Sequence, residues 1–465
     1  MPLVMIDNKS DGYPIICNDV ISFIFSEFFY FKDFLNLTRG DSFFLDMLYF
    51  MNFENNDFDF TNNIVEKMKT MSCVNFDTFN VSPDGKELEW LSQLQNVSIK
   101  KLHFHNSFNQ PIHSKLPSNV HEISFGFRFN QILNENCLPK NLKILSFIGD
   151  YNQPLPEKLP DLEELVFYCL FNHKLTKQLP KTLKVLWLYY MFNQEILFDL
   201  PDKLESLHFG HVYNKIPPSN LPSSLKHLSF GNNYNRFLPK LPPNLESLKL
   251  NTLFQKSLPK YLPKHLKVLK IGNYFNRRLP EQFPRKLKKL KIGNDFNQPI
   301  KTFPIKLEYL KFGYSFNQKL PPIPKRIRKL KFGDKYNQPL PEIKTKRLVL
   351  LMFGKCFNQP IQQNLPDSIK FLRFGNMFNQ SLPQKLPSNL ETLVLGHNFS
   401  HDLPEHLPES LKVLVLGKGF KQQLPKKLPS ELEELHLCHD YNPKYIENLP
   451  KSIEILKIGE KVIWL

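Results

Sequence analysis

Apolar residues recur in a fixed pattern over most of this chain. Two leucine-like positions stand one residue apart, with a third three places upstream of the pair, as in Leu287, Leu290 and Ile292 or Leu390, Leu393 and Leu395. Positions two apart share one face of a strand, so each pair predicts a short strand with one side buried. An aromatic residue follows each strand and is itself followed by a polar residue. This series opens at Phe108, Phe129 and Tyr151 and closes at Phe399, Phe420 and Tyr441. It holds seventeen copies spaced by 20, 21 or 22 residues. Self-similarity at one fixed period is the mark of a repeat array.

The other polar and special positions keep the same period. Leu-Pro precedes the strand, as at Leu386-Pro387, and forbids a helix interior there, favouring an extended segment. Glycine follows the strand in most units, as at Gly293 and Gly396, where it permits a tight backbone turn. About 21 residues cannot hold both a strand and a long helix. Each unit therefore reads as one short parallel strand, a turn and an extended return. Strands of successive units lie about 4.8 Å apart. No unit can bury its own apolar face, so stacking makes the core. Asn follows the aromatic in fourteen of the seventeen units, with Gln255, Ser400 and Lys421 in the others. Such an amide can satisfy backbone groups of its own turn or of the next coil, which is its expected role.

In each strand the residue between the last two apolar positions should point away from the core. Read in order, that column is Ser229, Lys249, Lys270, Lys291, Lys311, Lys331, Met352, Arg373 and Val394. Five consecutive lysines occupy one column, with Lys289 and Lys329 beside them. Like charges on neighbouring strands repel by about a few tenths of a kcal/mol each. Glu246 and Glu308 offset little of this. The row, with Arg373, is a candidate surface for an acidic or phosphorylated protein segment. The alternative is a solvated face copied between similar repeats. Nucleic acid is the weaker partner, because aromatics are not interleaved with the lysines.

Before residue 51 the pattern changes to helical spacing. Asn18 or Asp19 can cap a helix carrying Val20, Ile21, Ile24, Phe25 and Phe28. Phe34, Leu35 and Leu37, then Phe43, Phe44, Leu45 and Leu48, suggest two more short helices. The predicted fold class is thus α+β: a small helical module over residues 1–50, a linker and N-terminal cap over 51–95, and a repeat solenoid with one long parallel sheet over 96–465. Glu460 to Leu465 should close the far edge, with Val462 standing where the next aromatic would fall.

Composition adds asymmetry. The net charge is +17, from 61 Lys+Arg against 44 Asp+Glu. Residues 1–98 hold 6 against 15, a net of −9, so the remainder holds 55 against 29, a net of +26. An acidic head and a basic body argue for an acidic partner of the body, or for a surface kept soluble by lysine. The six cysteines include no CxxC pair, which fits a reducing compartment without a disulfide framework or zinc module. The polar stretch Met1–Gly12 does not read as a signal peptide, and the apolar run Val20–Phe31 is too short to span a bilayer. The expected location is cytoplasmic or nuclear. No HExxH, Walker loop, GxSxG or GxGxxG is present, and the fourteen histidines are dispersed. No enzymatic activity, cofactor or metal is expected.

Two resemblances follow from these residues. Phe108-Asn109-Gln110-Pro111, Tyr151-Asn152-Gln153-Pro154, Phe296-Asn297-Gln298-Pro299 and Phe357-Asn358-Gln359-Pro360 resemble the FNIP repeat, over about residues 96–465. FNIP repeats are similar to short leucine-rich repeats, which implies a curved sheet whose concave face binds proteins. Such proteins are known mainly from social amoebae and giant viruses of amoebae; a viral source would imply the host cytoplasm. The head, over roughly residues 14–50, resembles an F-box. Ile16, Asp19, Val20, Ile21, Ile24, Phe25, Ser26 and Phe28 fill its first part, Asp33 to Leu37 its second, and Phe43 its late aromatic. Cys17 stands in its proline slot and Gly40 in its valine slot. This resemblance implies a Skp-type adaptor of a cullin–RING ubiquitin ligase as partner, contacted by Ile16, Cys17, Val20, Ile24, Phe25, Phe28 and Leu35, with the repeats choosing the substrate. The other reading of these helices is a cap on the solenoid.

Overall fold

The computed structural model describes residues 74–85, 88, 97–175, 179–446 and 449–464. The chain divides into two compact units, Met1–Val212 and Tyr213–Leu465. The first carries strands β1 (Val74–Val81), β2 (Val97–Phe104), β3 (Glu122–Phe125), β4 (Ile144–Gly149), β5 (Glu164–Cys169), β6 (Val185–Leu188) and β7 (Ser206–Phe209). The second carries β8 (His227–Phe230), β9 (Ser247–Leu250), β10 (Val268–Lys270), β11 (Lys289–Lys291), β12 (Tyr309–Lys311), β13 (Lys329–Lys331), β14 (Leu350–Met352), β15 (Phe371–Arg373), β16 (Thr392–Val394), β17 (Val413–Val415), β18 (Glu434–Leu437), β19 (Ile455–Ile458) and β20 (Lys461–Trp464).

From β1 to β7, and from β8 to β19, the strands pair in parallel and in chain order. In the second unit Leu269 faces Leu290, Leu290 faces Leu310 and Leu310 faces Leu330, and the series continues through Leu351, Leu372 and Leu393 to Leu414. All of these leucines are fully buried. Slipping one strand by one residue would drive a lysine into the core, so the alternation itself fixes the register. The parallel sheet of the first unit begins at β1, which pairs with β2 from Val74 to Val81. It therefore starts inside the segment that the sequence assigns to linker and cap.

The period-marking aromatics stack ring on ring behind the sheet. Phe357 and Phe378 lie 6.1 Å apart at 6°, and Phe378 and Phe399 6.2 Å apart at 2°. A second ring packs against this column from the strand, as Phe353 does on Phe357 at 3.9 Å. The first unit repeats the arrangement, with Phe129 and Tyr151 at 5.9 Å and 3°. Ring spacing exceeds the strand spacing of about 4.8 Å. Within a unit the coils therefore fan apart on the aromatic side, and the strands line the shorter side.

The asparagine that follows each ring bonds the next coil. From Asn276 to Ser400 the ladder is unbroken: each side-chain Oδ1 accepts from the backbone N–H one unit on, at 2.8–3.0 Å. The following glutamine adds a second donor, as Gln318 Nε2 does to Asn297 Oδ1 at 3.1 Å. Asn109, Asn130, Asn152 and Asn172 do the same in the first unit. Of the two expected roles for the amide, bonding to the next coil is the one realised.

Four expectations change. The predicted α+β class gives way, over the described residues, to a β-solenoid: helix there is confined to a 3₁₀ turn at Pro443–Ile446 and to Leu88. The three predicted helices of residues 1–50 lie outside the described residues. Proline does more than extend the return. It opens a turn closed by the leucine three places on, as Leu287 N–H donates to the Pro284 carbonyl at 3.0 Å and Leu411 to Pro408 at 3.0 Å. The glycine slot is set by close approach: a methyl added at Gly293 would collide with the carbonyl oxygen of Gly272, and one at Gly375 with that of Gly354. Finally, Val462 does not continue the aromatic column. Gly459, in the left-handed region at φ +64°, turns the chain back, and β20 pairs antiparallel with β19, leaving Val462 43% exposed. The edge is closed by this hairpin.

Two substitutions separate the forces within one unit. Asn297→Ala removes the acceptor for Asn317 N–H and Gln318 Nε2, leaving half-buried donors unmet, and should destabilise the second unit by about 1–3 kcal/mol. Tyr336 carries a buried hydroxyl that no protein group bonds. Tyr336→Phe keeps the stacked ring and should leave stability unchanged or raise it by about 1 kcal/mol. Urea denaturation of both variants against the parent checks the two signs.

Candidate functional site

The outward residues of β9 to β13 form a row of five lysines. Lys249 is aligned with Lys270, Lys270 with Lys291, Lys291 with Lys311 and Lys311 with Lys331. Met352 and Arg373 extend the row on β14 and β15. The side chains alternate with the buried leucines, so the row faces solvent as the strand period demands. Lys289 and Lys329 occupy the parallel column two residues upstream, on either side of Tyr309. The Tyr309 ring lies 5.2 Å from the Lys289 ammonium and 5.6 Å from that of Lys291. Lys270 Nζ donates to Asn251 Oδ1 at 2.7 Å.

The neighbouring carboxylates are engaged elsewhere. Glu246 pairs with Lys267 at 2.7 Å, and Glu308 with Lys288 at 3.1 Å. The same flanking column repeats this pairing with Lys370–Glu391 and Lys412–Glu433, both at 2.6 Å. Two columns of the same repeat therefore treat charge differently: one contains opposite-charge pairs between neighbouring coils, the other repeats one sign. The consequence is visible in acidity. Loss of hydration, then the charges of Lys249 and Lys311, pulls the Lys270 ammonium below the usual lysine range. Loss of hydration followed by Lys289, Lys311, Lys270 and Lys249 does the same to Lys291. Bonding to Glu163 and Glu433 moves Lys184 and Lys412 the other way.

The first unit presents a different outward face. Ser124, Ser146, Val166, Trp187 and His208 share one column. Trp187 packs edge-on against Tyr168 at 5.5 Å and His208 at 4.8 Å, and Tyr168 meets Tyr189 at 5.5 Å. Of these rings the sequence reading placed only His208 in the outward column; Trp187 stands in the same slot, and Tyr168 two residues beyond it. Among the described residues no group of three His, Cys, Asp or Glu side chains could hold a metal ion. Cys137, Cys169 and Cys438 are buried free thiols, and burial pushes Cys169 up to about 12, far from a reactive thiolate. No described helix is long and apolar enough to cross a membrane. The adaptor-contact candidates Ile16, Cys17, Val20, Ile24, Phe25, Phe28 and Leu35 lie outside the described residues.

Residues 96–128, 129–169, 171–212, 213–252, 254–295, 275–315, 296–335, 316–343, 357–398 and 378–418 match the model of the FNIP repeat. The chain belongs to the FNIP repeat family. The architecture of this FNIP protein is similar to that of CroV588, described as a novel circular leucine-rich-repeat protein. The two are 34% identical over 80% of this chain and 64% of CroV588, with a TM-score of 0.62. The chain thus spans less than two thirds of that protein. YopM from Yersinia enterocolitica WA-314 is 18% identical over 90% of this chain and 99% of its own, with a TM-score of 0.57, and shares the fold. No curated protein matches the FNIP chain. The leucine-rich-repeat-like solenoid is thereby established.

The opposed charge environments make a chemical prediction. At pH 8.5 a lysine with a lowered pKa holds more neutral amine. Lys270 and Lys291 should therefore react with an amine acylating reagent several-fold faster than Lys184 and Lys412. Timed labelling with peptide mass spectrometry reads the order directly. Equal rates at all four would mean the row does not shift its own ammonium groups.

Proposed function

We propose that this FNIP protein is a non-enzymatic recognition subunit that binds a protein target along the outward face of its sheet. The observation that carries the reading is the in-register row Lys249, Lys270, Lys291, Lys311 and Lys331, whose neighbouring carboxylates are bound to other lysines. Repulsion down the row costs a little at every strand, and an anionic partner would turn that cost into binding energy. The solenoid fold supports protein recognition, since such sheets give long continuous surfaces.

The finer form of the reading assigns the chain to a cullin–RING ubiquitin ligase in the cytoplasm. In it the segment 14–50 recruits a Skp-type adaptor through Ile16, Cys17, Val20, Ile24, Phe25, Phe28 and Leu35, and the solenoid selects an acidic or phosphorylated substrate. Support comes from the sequence register of Ile16 to Phe28 and Asp33 to Leu37. The competing form is a scaffold whose first 50 residues only cap the repeats.

A pull-down with purified Skp adaptor separates them. The intact chain should retain the adaptor, whereas a chain lacking residues 1–50 and the Ile24→Asp/Phe25→Asp variant should not. Retention by none of the three, with the solenoid folded by circular dichroism, would leave the scaffold.

A further inference from the structure

The outward column changes character beyond Arg373. After five lysines, Met352 and Arg373, it continues as Val394 on β16 and Val415 on β17, then His436 on β18. Two short side chains in succession leave a depression at the carboxyl ends of these strands. It is a cavity of about 760 Å³ lined by Val394 and Val415 together with Arg373, His397, Lys418 and His436. Glu460 also lines it, and Glu434 approaches His436 Nε2 at 3.2 Å. A cavity with two valines and two fixed cations, Arg373 and Lys418, beside the Glu460 carboxylate thus opens at the end of the lysine row, within the same unit.

Three features narrow the occupant. The positive charge is spread along the sheet, one lysine of the row per strand at about 4.8 Å with Lys289 and Lys329 beside it, rather than gathered at one point. A phosphate dianion calls instead for several forked donors converging on one point, and Arg373 is the only arginine in the row. Bases of a single-stranded nucleic acid need free aromatic faces, but the Tyr309 ring is approached by Lys289 and Lys291. Val394 and Val415 offer an apolar seat of side-chain size, which a chain of charges alone would leave empty. From Lys270 to Val415 is seven strand steps, about 34 Å, the reach of about ten extended residues.

We infer that this face takes an extended acidic protein segment of about ten residues, lying across the strands with Asp and Glu side chains over Lys270 to Lys331 and an apolar side chain at one end seated on Val394 and Val415. This rests on the protein-recognition reading above and names its target class. Carboxylates meet the lysines one by one, while the anchor fixes the register that charge alone would leave free to slide.

The test uses the full chain and fluorescent ten-residue probes. One probe is all Asp and Glu; the other carries a terminal leucine. Fluorescence anisotropy should show the leucine probe binding about tenfold tighter. Lys291→Glu/Lys311→Glu should weaken both probes by about tenfold or more. Val415→Arg, on the outward side, should erase the preference for leucine yet retain the all-acid probe, which serves as its folding control. The inference falls if the leucine preference is absent or survives Val415→Arg. It falls equally if the charge reversal leaves binding intact, or if a single-phosphoserine peptide or an oligothymidylate binds more tightly than the leucine probe. Loss of probe binding with adaptor retention intact would remove this face and leave the ligase reading standing. Loss of both would remove the two together.

Discussion

Everything in this molecule depends on stacking each repeat on a copy of itself in strict register. A coil of about 21 residues has too little interior to bury its own leucines, so each acquires a core only through its neighbours. Register follows from the alternation of Leu269, Leu290 and Leu310 with outward lysines, because a slip of one residue exchanges the two sets. Whatever occupies a slot in one coil must then tolerate the same slot in the next. For aromatic rings this is favourable, and Phe357, Phe378 and Phe399 stack nearly parallel. For glycine it is obligatory, since a side chain at Gly293 would strike the carbonyl of Gly272.

The amide ladder shows how the same rule handles polar groups. A solenoid without helices leaves many backbone N–H groups in turns, half-buried between coils, where an unmet donor is costly. Asparagine carries its acceptor on a short side chain, so the oxygen reaches one coil onward and no further. Its own N–H is met by the preceding copy, as at Asn297, which accepts from Asn317 and donates to Asn276. A ladder of this kind needs no partner outside the repeat. The regularity of Asn in the sequence therefore reports the fold rather than a ligand.

Much of this was legible in the chain because period is a direct image of stacking. The spacing of the aromatics placed the coils, and the residue between two leucines identified the outward row before any coordinates. What escaped the sequence depended on the absence of a side chain or on a change of direction. Val394 closes the outward column read from the sequence, and Val415 follows it in the next strand, but nothing in Thr-Leu-Val or Val-Leu-Val announces a cavity there. Their place in its lining appears only when Arg373 and His436 stand beside them. The reversal at Gly459 is likewise hidden, because Val462 keeps the period in sequence while β20 abandons it in space. The proline slot announced an extended return, but not the turn that Leu287 closes on Pro284.

In the lysine row identity between neighbours opposes stability. Aromatics, leucines, glycines and asparagines all gain from meeting their own kind; ammonium groups do not. One column away, Glu246 and Lys267, Lys288 and Glu308, and Lys370 and Glu391 show that the fold accepts opposite charges on neighbouring coils without difficulty. Stacking geometry therefore does not compel the row, and its repulsion falls on strands whose buried leucines can bear it. Lost hydration first, and these neighbouring charges second, hold the Lys270 and Lys291 ammonium groups below the usual lysine range. The anionic partner proposed above would relieve that like charge, and the cavity at the end of the row would add an apolar contact.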